Sequence, residues 1–280
     1  MLHLAIECSG FAGSVALCHQ QRLLAERELP AELGSVRTLA AHIAELIEPH
    51  PGGDGAGVQL ISVTCGPGSF TGLRVGLATA QMLAYAWRIR VACVDTLEAI
   101  AWGVAQATRA QAIPTEAIPT EAADEVLSTG AARAADAPLL IVPVVNAFRK
   151  QVFAAAWRYA PAGNQPLWQQ LAAAQVIGAA QWQAAPLHSL SAAPATAAGL
   201  AAPTLTATGL EPIVVCGPGL QSYLPHPTPP VALAEQRLWQ PKAASIAELG
   251  WEKFRRGQVV AADQVRPNYV RPSAAEEHSP

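Results

Sequence analysis

Apolar residues open the chain as three short runs. Leu2–Ile6, Ser14–Cys18 and Leu23–Leu29 each have strand length, and the polar stretch His19-Gln20-Gln21-Arg22 between the last two reads as a hairpin turn. The chain is therefore expected to begin with a three-stranded meander. From Ser35 to Glu48 the period changes. Val36, Leu39, Ala40, Ile43, Leu46 and Ile47 recur at helical spacing behind Ser35, a suitable N-cap. Pro49 to Gly57 is a Pro/Gly-rich break. Val58–Thr64 is an apolar strand that runs into GPGSFTGLRVG, Gly66 to Gly76, and a helix over about Thr71–Trp87. Ile89–Val94 is a further strand, with a helix expected from Asp95 or Thr96. A meander followed by alternating elements predicts a mixed sheet covered by helices.

The pattern then fades. Ala101 to Pro138 contains the tandem repeat AIPTEAIPTEA, Ala112 to Ala122, whose Pro-Thr-Glu units cannot build a core, so this stretch reads as a flexible insertion. Strands return at Leu139–Val145 and Gln151–Trp157, a hairpin pair. Gln165 to Glu211 is Ala/Pro-rich and gives no clear period. Ile213–Cys216 is a short strand into Gly217-Pro218-Gly219, Ala243–Arg256 a last helix, and Val265–Val270 an extended segment. The second half repeats part of the first, so two related lobes are expected. The divisions read from sequence are an N-terminal lobe over 1–102, the insertion over 103–138, a smaller lobe over 139–272 and a disordered tail over 273–280.

Composition narrows the function. The 280 residues are 51% hydrophobic and 14% charged, a globular balance with a thin charged surface, which leaves apolar surface available to a partner. A net charge of −3 gives no electrostatic footprint for direct nucleic-acid binding. Five scattered cysteines without a CxxC are expected to be reduced thiols of a cytoplasmic protein. No signal peptide or membrane span is expected.

The glycine loop poses the main chemical question. It lacks the lysine of a Walker loop, the third glycine of a dinucleotide fingerprint and the GxSxG of a nucleophile elbow. Amides at a helix start still attract anions, so Gly66, Gly68 and Ser69, with Glu7 and Ser9 at the first turn, are weak candidates for a phosphate or nucleotide. Glu7 could equally accept hydrogen bonds from turn amides. The other reading concerns packing. Gly72, Gly76, Ala80 and Ala84 recur every four residues and let another backbone approach closely, either within this chain or from a partner. The helix is apolar nearly all round, with Leu73, Val75, Leu77, Met82, Leu83 and Tyr85 on its other faces, so burial on more than one side is expected. The seven histidines show no helical two-His spacing, and no metal site is expected. The cysteines sit in or beside apolar strands and read as buried and inert. Asn146 with Arg149-Lys150 reads as a polar hairpin turn.

GPGSFTGLRVG closely resembles the signature of the TsaB (YeaZ) family. In order along the chain, LAIECSG, SVRTLAAHIAELI, VVNAFRKQVF, VCGPGL and VRPNYVRP are similar to further family segments. The resemblance implies a two-lobed ASKHA fold, that is actin/Hsp70-like and RNase H-like, with mixed sheets flanked by helices. It also implies a non-catalytic subunit of the machinery that forms N6-threonylcarbamoyladenosine on tRNA. Such a subunit would bind TsaD, help recruit the ATPase TsaE, meet tRNA only through the complex, and be able to form a homodimer. ATP or ADP would be held only at a complex interface. Carried over by position, the partner interface is His42, Ile43 and Leu46 on the first helix and Thr71, Gly72, Arg74, Val75, Gly76, Thr79, Ala80 and Leu83 on the second. Departures are Glu7 for the family's Asp, Cys8 for its Thr, Asn146 for its hairpin Asp and Phe148 for its Arg. The family is also labelled peptidase-like through a metal-bearing paralogue, but this chain lacks that paralogue's paired histidines. An ASKHA-type ATP-binding enzyme and a homodimeric binding module with other partners are the alternative readings.

Overall fold

The computed structural model describes residues 1–30, 35–50, 55, 57–110, 138–160, 167–191, 211–225 and 231–271. The AIPTE repeat and the tail from 273 lie outside them. The chain folds as two compact units, Met1–Ile100 with Gln240–Pro280, and Ala101–Trp239.

The first unit holds β1 (Leu2–Glu7), β2 (Ser14–His19), β3 (Arg22–Glu28), α1 (Ser35–Ile47), β4 (Val58–Gly66), α2 (Phe70–Trp87) and β5 (Arg90–Asp95). Its sheet has the order β3-β2-β1-β4-β5, antiparallel across the meander and parallel from β1 to β4 and β5. Successive side chains of a strand face opposite ways. Leu4, Ile6, Ile61 and Val63 form a core with Leu39, Ile43 and Leu46 of α1 and with Leu77 and Ala80 of α2. The opposite face presents small or polar side chains, including His3, Ser62 and Ala92. There α6 (Ala243–Arg255) packs. Its Gly250 is the reason it can: a Cβ at that position would overlap Ser62.

That helix corrects the division read from sequence. The expected smaller lobe, 139–272, included α6, whereas residues from Gln240 onward belong to the first unit. Helical periodicity marks an apolar face but not the sheet that face will cover. A second correction concerns α3 (Thr96–Ala110), which continues eight residues past position 102 into the expected insertion. Its start is fixed by Asp95, whose Oδ1 accepts from the Leu97 and Glu98 amides at 2.8 and 3.1 Å.

In the second unit, β6 (Leu139–Phe148), β7 (Gln151–Ala160) and β8 (Leu167–Gly178) form an antiparallel meander. Two short helices, α4 (Ala179–Ala184) and α5 (Pro186–Ser191), precede β9 (Ile213–Cys216) and β10 (Val231–Leu233). The order β10-β9-β6-β7-β8 has β9 parallel to both β6 and β10. Trp182 of α4 is fully buried at the centre of this unit's core, its indole N–H donating to the Tyr223 carbonyl at 3.1 Å.

The two sheets share one topology: an antiparallel three-stranded meander whose first strand is flanked by two parallel strands. Even the junction after the inner parallel strand is repeated, as Cys65-Gly66-Pro67-Gly68 after β4 and Cys216-Gly217-Pro218-Gly219 after β9. The two related α/β lobes of the ASKHA class are therefore present.

Candidate functional site

The glycine loop is built against its own chain. Gly66 has φ +118°, and a Cβ there would lie 2.8 Å from the Asn268 carbonyl oxygen. Asn268 in turn donates its amide to the Cys65 carbonyl at 2.6 Å. A Cβ at Gly68 would lie 2.5 Å from the Ser9 carbonyl oxygen. The Ser69 amide donates to that same oxygen at 2.8 Å, and the Ser69 hydroxyl caps α2 by accepting from the Gly72 amide at 3.2 Å. Two amides that an anion would need at this helix start are thus already engaged within the protein.

The small-residue stripe has the same explanation. A Cβ at Gly72 would overlap the Cys8 carbonyl oxygen, and one at Gly76 would lie 3.1 Å from the Cys8 Cβ. Ala80 and Ala84 are buried in the first unit's core. This corrects the expected interface: Gly72 and Gly76 face the end of β1 and Cys8 after it, and Ala80 is buried in the core. A four-residue repeat of small side chains says that a backbone comes close, not whose backbone it is. Ile43 and Leu46 are likewise buried in the core of the first unit.

What remains of the expected interface lies at the rim of that ridge. Thr71 and Arg74 are exposed, while His42, Val75, Thr79 and Leu83 are half-buried. His42 lies 3.4 Å from the Glu45 carboxylate one helical turn on. The structure adds side chains that the carry-over omitted. Met82 is 71% exposed and Tyr85 79%, and Ala78 and Ala86 lie on the same outward strip. At the start of α2, Phe70 stacks on Tyr269 with centroids 6.3 Å apart, and the Arg74 guanidinium sits 3.7 Å over the Phe70 ring. On α1, Ala40, Ala41 and Ala44 are exposed. The signal was in the sequence: positions 71, 74, 78, 82 and 85 recur at helical spacing, one face round from the glycines.

At the first turn, Glu7 is fully buried. Its Oε1 accepts from the Ser9 amide at 2.6 Å and from the Ser9 hydroxyl at 2.5 Å, the turn-closing role open to it from sequence. Burial pushes its carboxyl up to about 7, while hydrogen bonds from Ser9 and the Gly10 amide pull the other way. Asn146 closes the second unit's hairpin by accepting from the Phe148 amide at 2.7 Å, and Phe148, Arg149 and Lys150 all take the left-handed conformation. All five cysteines are free thiols, and burial pushes Cys18 and Cys65 up to about 12. Among the described residues no three His, Cys, Asp or Glu side chains cluster as metal ligands, and no helix is long and apolar enough to cross a membrane.

The topology and this junction define a two-lobed α/β protein of the ASKHA class. Residues 54–128, which carry β4, the glycine loop and α2, match the family model of TsaD, tRNA N6-adenosine threonylcarbamoyltransferase. The fold is that of YeaZ from Pseudomonas aeruginosa, with a TM-score of 0.63 and 22% identity over 96% of this chain and 99% of that one. A Pseudomonas aeruginosa protein described as similar to peptidase YeaZ matches with the same TM-score and coverage at 21% identity. No curated protein matches the sequence. The resemblance to the TsaB (YeaZ) family is thus carried by a family match at the glycine signature and by the fold of nearly the whole chain.

Proposed function

We propose that this protein is a non-catalytic, cytoplasmic subunit of the complex that forms N6-threonylcarbamoyladenosine on tRNA. It binds TsaD, helps recruit TsaE, and meets tRNA only through its partners. The observation that carries the reading is the outward strip of α2. Met82 and Tyr85 are large apolar side chains left in solvent on a helix whose opposite side is fully committed to the core. Exposed groups of this kind mark surfaces that another protein covers. The TsaD family match at residues 54–128 and the YeaZ-like fold support placing the protein in the tRNA-modification family.

The reading moves the docking surface. The glycines do not touch the partner; they seat α2 deeply, so that Thr71, Arg74, Ala78, Met82 and Tyr85 form its contact face. The engaged amides of the glycine loop argue against a phosphate-gripping enzyme. The test is co-purification of this chain with TsaD, followed by a tRNA threonylcarbamoylation assay with TsaE and threonylcarbamoyl-adenylate. Formation of the pair, and modification that requires this chain, is the expected result. Heat on titrating Mg-ATP into the isolated chain, with no binding of TsaD, would favour the enzyme instead.

A further inference from the structure

The C-terminal end of α2 holds an arginine where the backbone favours glycine. Arg88 has φ +55° and ψ +43°; its amide donates to the Tyr85 carbonyl at 3.3 Å, and the Ile89 amide donates to the Ala84 carbonyl at 3.0 Å. This is the helix ending in which glycine is the usual residue, because a Cβ is penalised in the left-handed region. The arginine gains no compensation inside the chain. Among the described residues its guanidinium meets neither a carboxylate nor any other hydrogen-bond acceptor. A positive charge near a helix C-terminus is favourable, but an arginine in the helical turn before would supply it without strain. A strained residue whose side chain has no partner of its own is a candidate for an external contact.

Arg88 lines a cavity open to solvent together with Arg90, Tyr85 and Ile89, facing Ala262 and Asp263. The facing segment is held firmly. Val91 and Val260 exchange backbone hydrogen bonds at 3.0 and 2.9 Å, and Gln81 donates its side-chain amide to the Val265 carbonyl at 3.1 Å. Arg90, the first residue of β5, is also without a partner for its guanidinium among the described residues, and Asp263 forms no ion pair with either arginine. Two guanidinium groups against one carboxylate leave the cavity positive on a chain whose net charge is −3. Tyr85 belongs both to this cavity and to the outward strip of α2, so the strip continues into it.

We propose that this cavity receives acidic side chains, Asp or Glu, of the protein that docks on α2, with Arg88 and Arg90 as their binding groups. The inference rests on the docking reading above and adds the chemistry of the partner's contact. Guanidinium forks match carboxylates and are more weakly hydrated than an ammonium, which suits an interface. Ile89, Ala262 and the Tyr85 ring exclude water once a partner covers them, which strengthens the attraction. Asp263 opposes a doubly charged phosphate more than a single carboxylate, and the apolar strip alongside suits a protein surface. Charge pairs at the end of an apolar strip also set the register of the docked protein.

The test is calorimetric titration of TsaD into the full chain at about 0.05 M and about 0.5 M NaCl, for the native protein, Arg88→Gly and the double variant Arg88→Ala/Arg90→Ala. The double variant should bind about tenfold more weakly at low salt, and the difference should shrink below about threefold at high salt. Arg88→Gly should unfold at a higher temperature than the native chain and still bind about threefold more weakly, whereas a purely structural role would move stability and binding together. Native affinity of the double variant at low salt overturns the cavity's role and leaves docking on Met82 and Tyr85 standing. A loss undiminished at high salt overturns it too. So does weaker self-association of the double variant with unchanged TsaD binding, which assigns the cavity to a second copy of this chain. Absence of TsaD binding by the native chain removes the docking reading and this inference together.

Discussion

Replacing Met82 and Tyr85 together with alanine separates docking from folding. Both side chains are mostly in solvent, at 71% and 79% exposure, so their truncation should change unfolding free energy by less than about 0.5 kcal/mol. In the complex their loss is felt in full. Burying a methionine side chain contributes about 1.5–3 kcal/mol, and roughly two-thirds of Met82 is available for burial, which gives about 1–2 kcal/mol. An interfacial tyrosine near the centre of a contact adds about 2 kcal/mol. The pair should therefore weaken TsaD binding by about 3–4 kcal/mol, a Kd higher by a factor of roughly 100–1000. Calorimetric titration of TsaD into native and doubly substituted chains, with unfolding curves of each, measures both quantities. Unchanged affinity in a normally folded double variant refutes the assignment of this face. An equal drop in stability refutes the claim that these side chains lie outside the core.

Three further outcomes follow from the packing. Gly72→Ala places a methyl group on the Cys8 carbonyl and should destabilise the fold by about 2–3 kcal/mol in chemical denaturation, without a partner present. Arg88→Gly should stabilise by about 1 kcal/mol, because Arg88 ends α2 in the left-handed conformation that glycine adopts freely. His3 is fully buried, with Nε2 against the Ser62 hydroxyl at 2.6 Å, and burial lowers its pKa from 6.5 to about 3. The unfolded chain then binds the extra proton first, so stability is full above about pH 6.5 and falls as pH drops toward 3, by on the order of 4–5 kcal/mol. Denaturation curves across that range check it, and a flat profile would contradict the burial of a neutral imidazole.

The first sheet was legible because its strands are short, apolar and bounded by polar turns, and α1 and α2 carry strong helical periods. β8 was not, because it runs through Leu171-Ala172-Ala173-Ala174 with most of its side chains half-exposed, so neither alternation nor branching marks it. β10 is only three residues long. The partnership of α6 was hidden because it rests on one glycine, Gly250, meeting Ser62 nearly two hundred positions earlier. At the candidate site, the spacing of Gly72 and Gly76 marked a close approach, and what approaches is the chain's own Cys8, by its backbone at Gly72 and its side chain at Gly76.

The repeated tetrapeptide Cys-Gly-Pro-Gly bears on how such chains are recognised. After β9, where only a single 3-10 turn follows, Gly217 has φ +112° and its missing side chain is replaced by the Val144 backbone of β6. Gly66 and Gly68 do the equivalent job in the other half with Asn268 and Ser9. Selection that keeps this peptide therefore guards a joint of the architecture, twice over. A match that rests on this peptide alone therefore reports the architecture, whereas the exposed side chains of Met82 and Tyr85 can change without disturbing it.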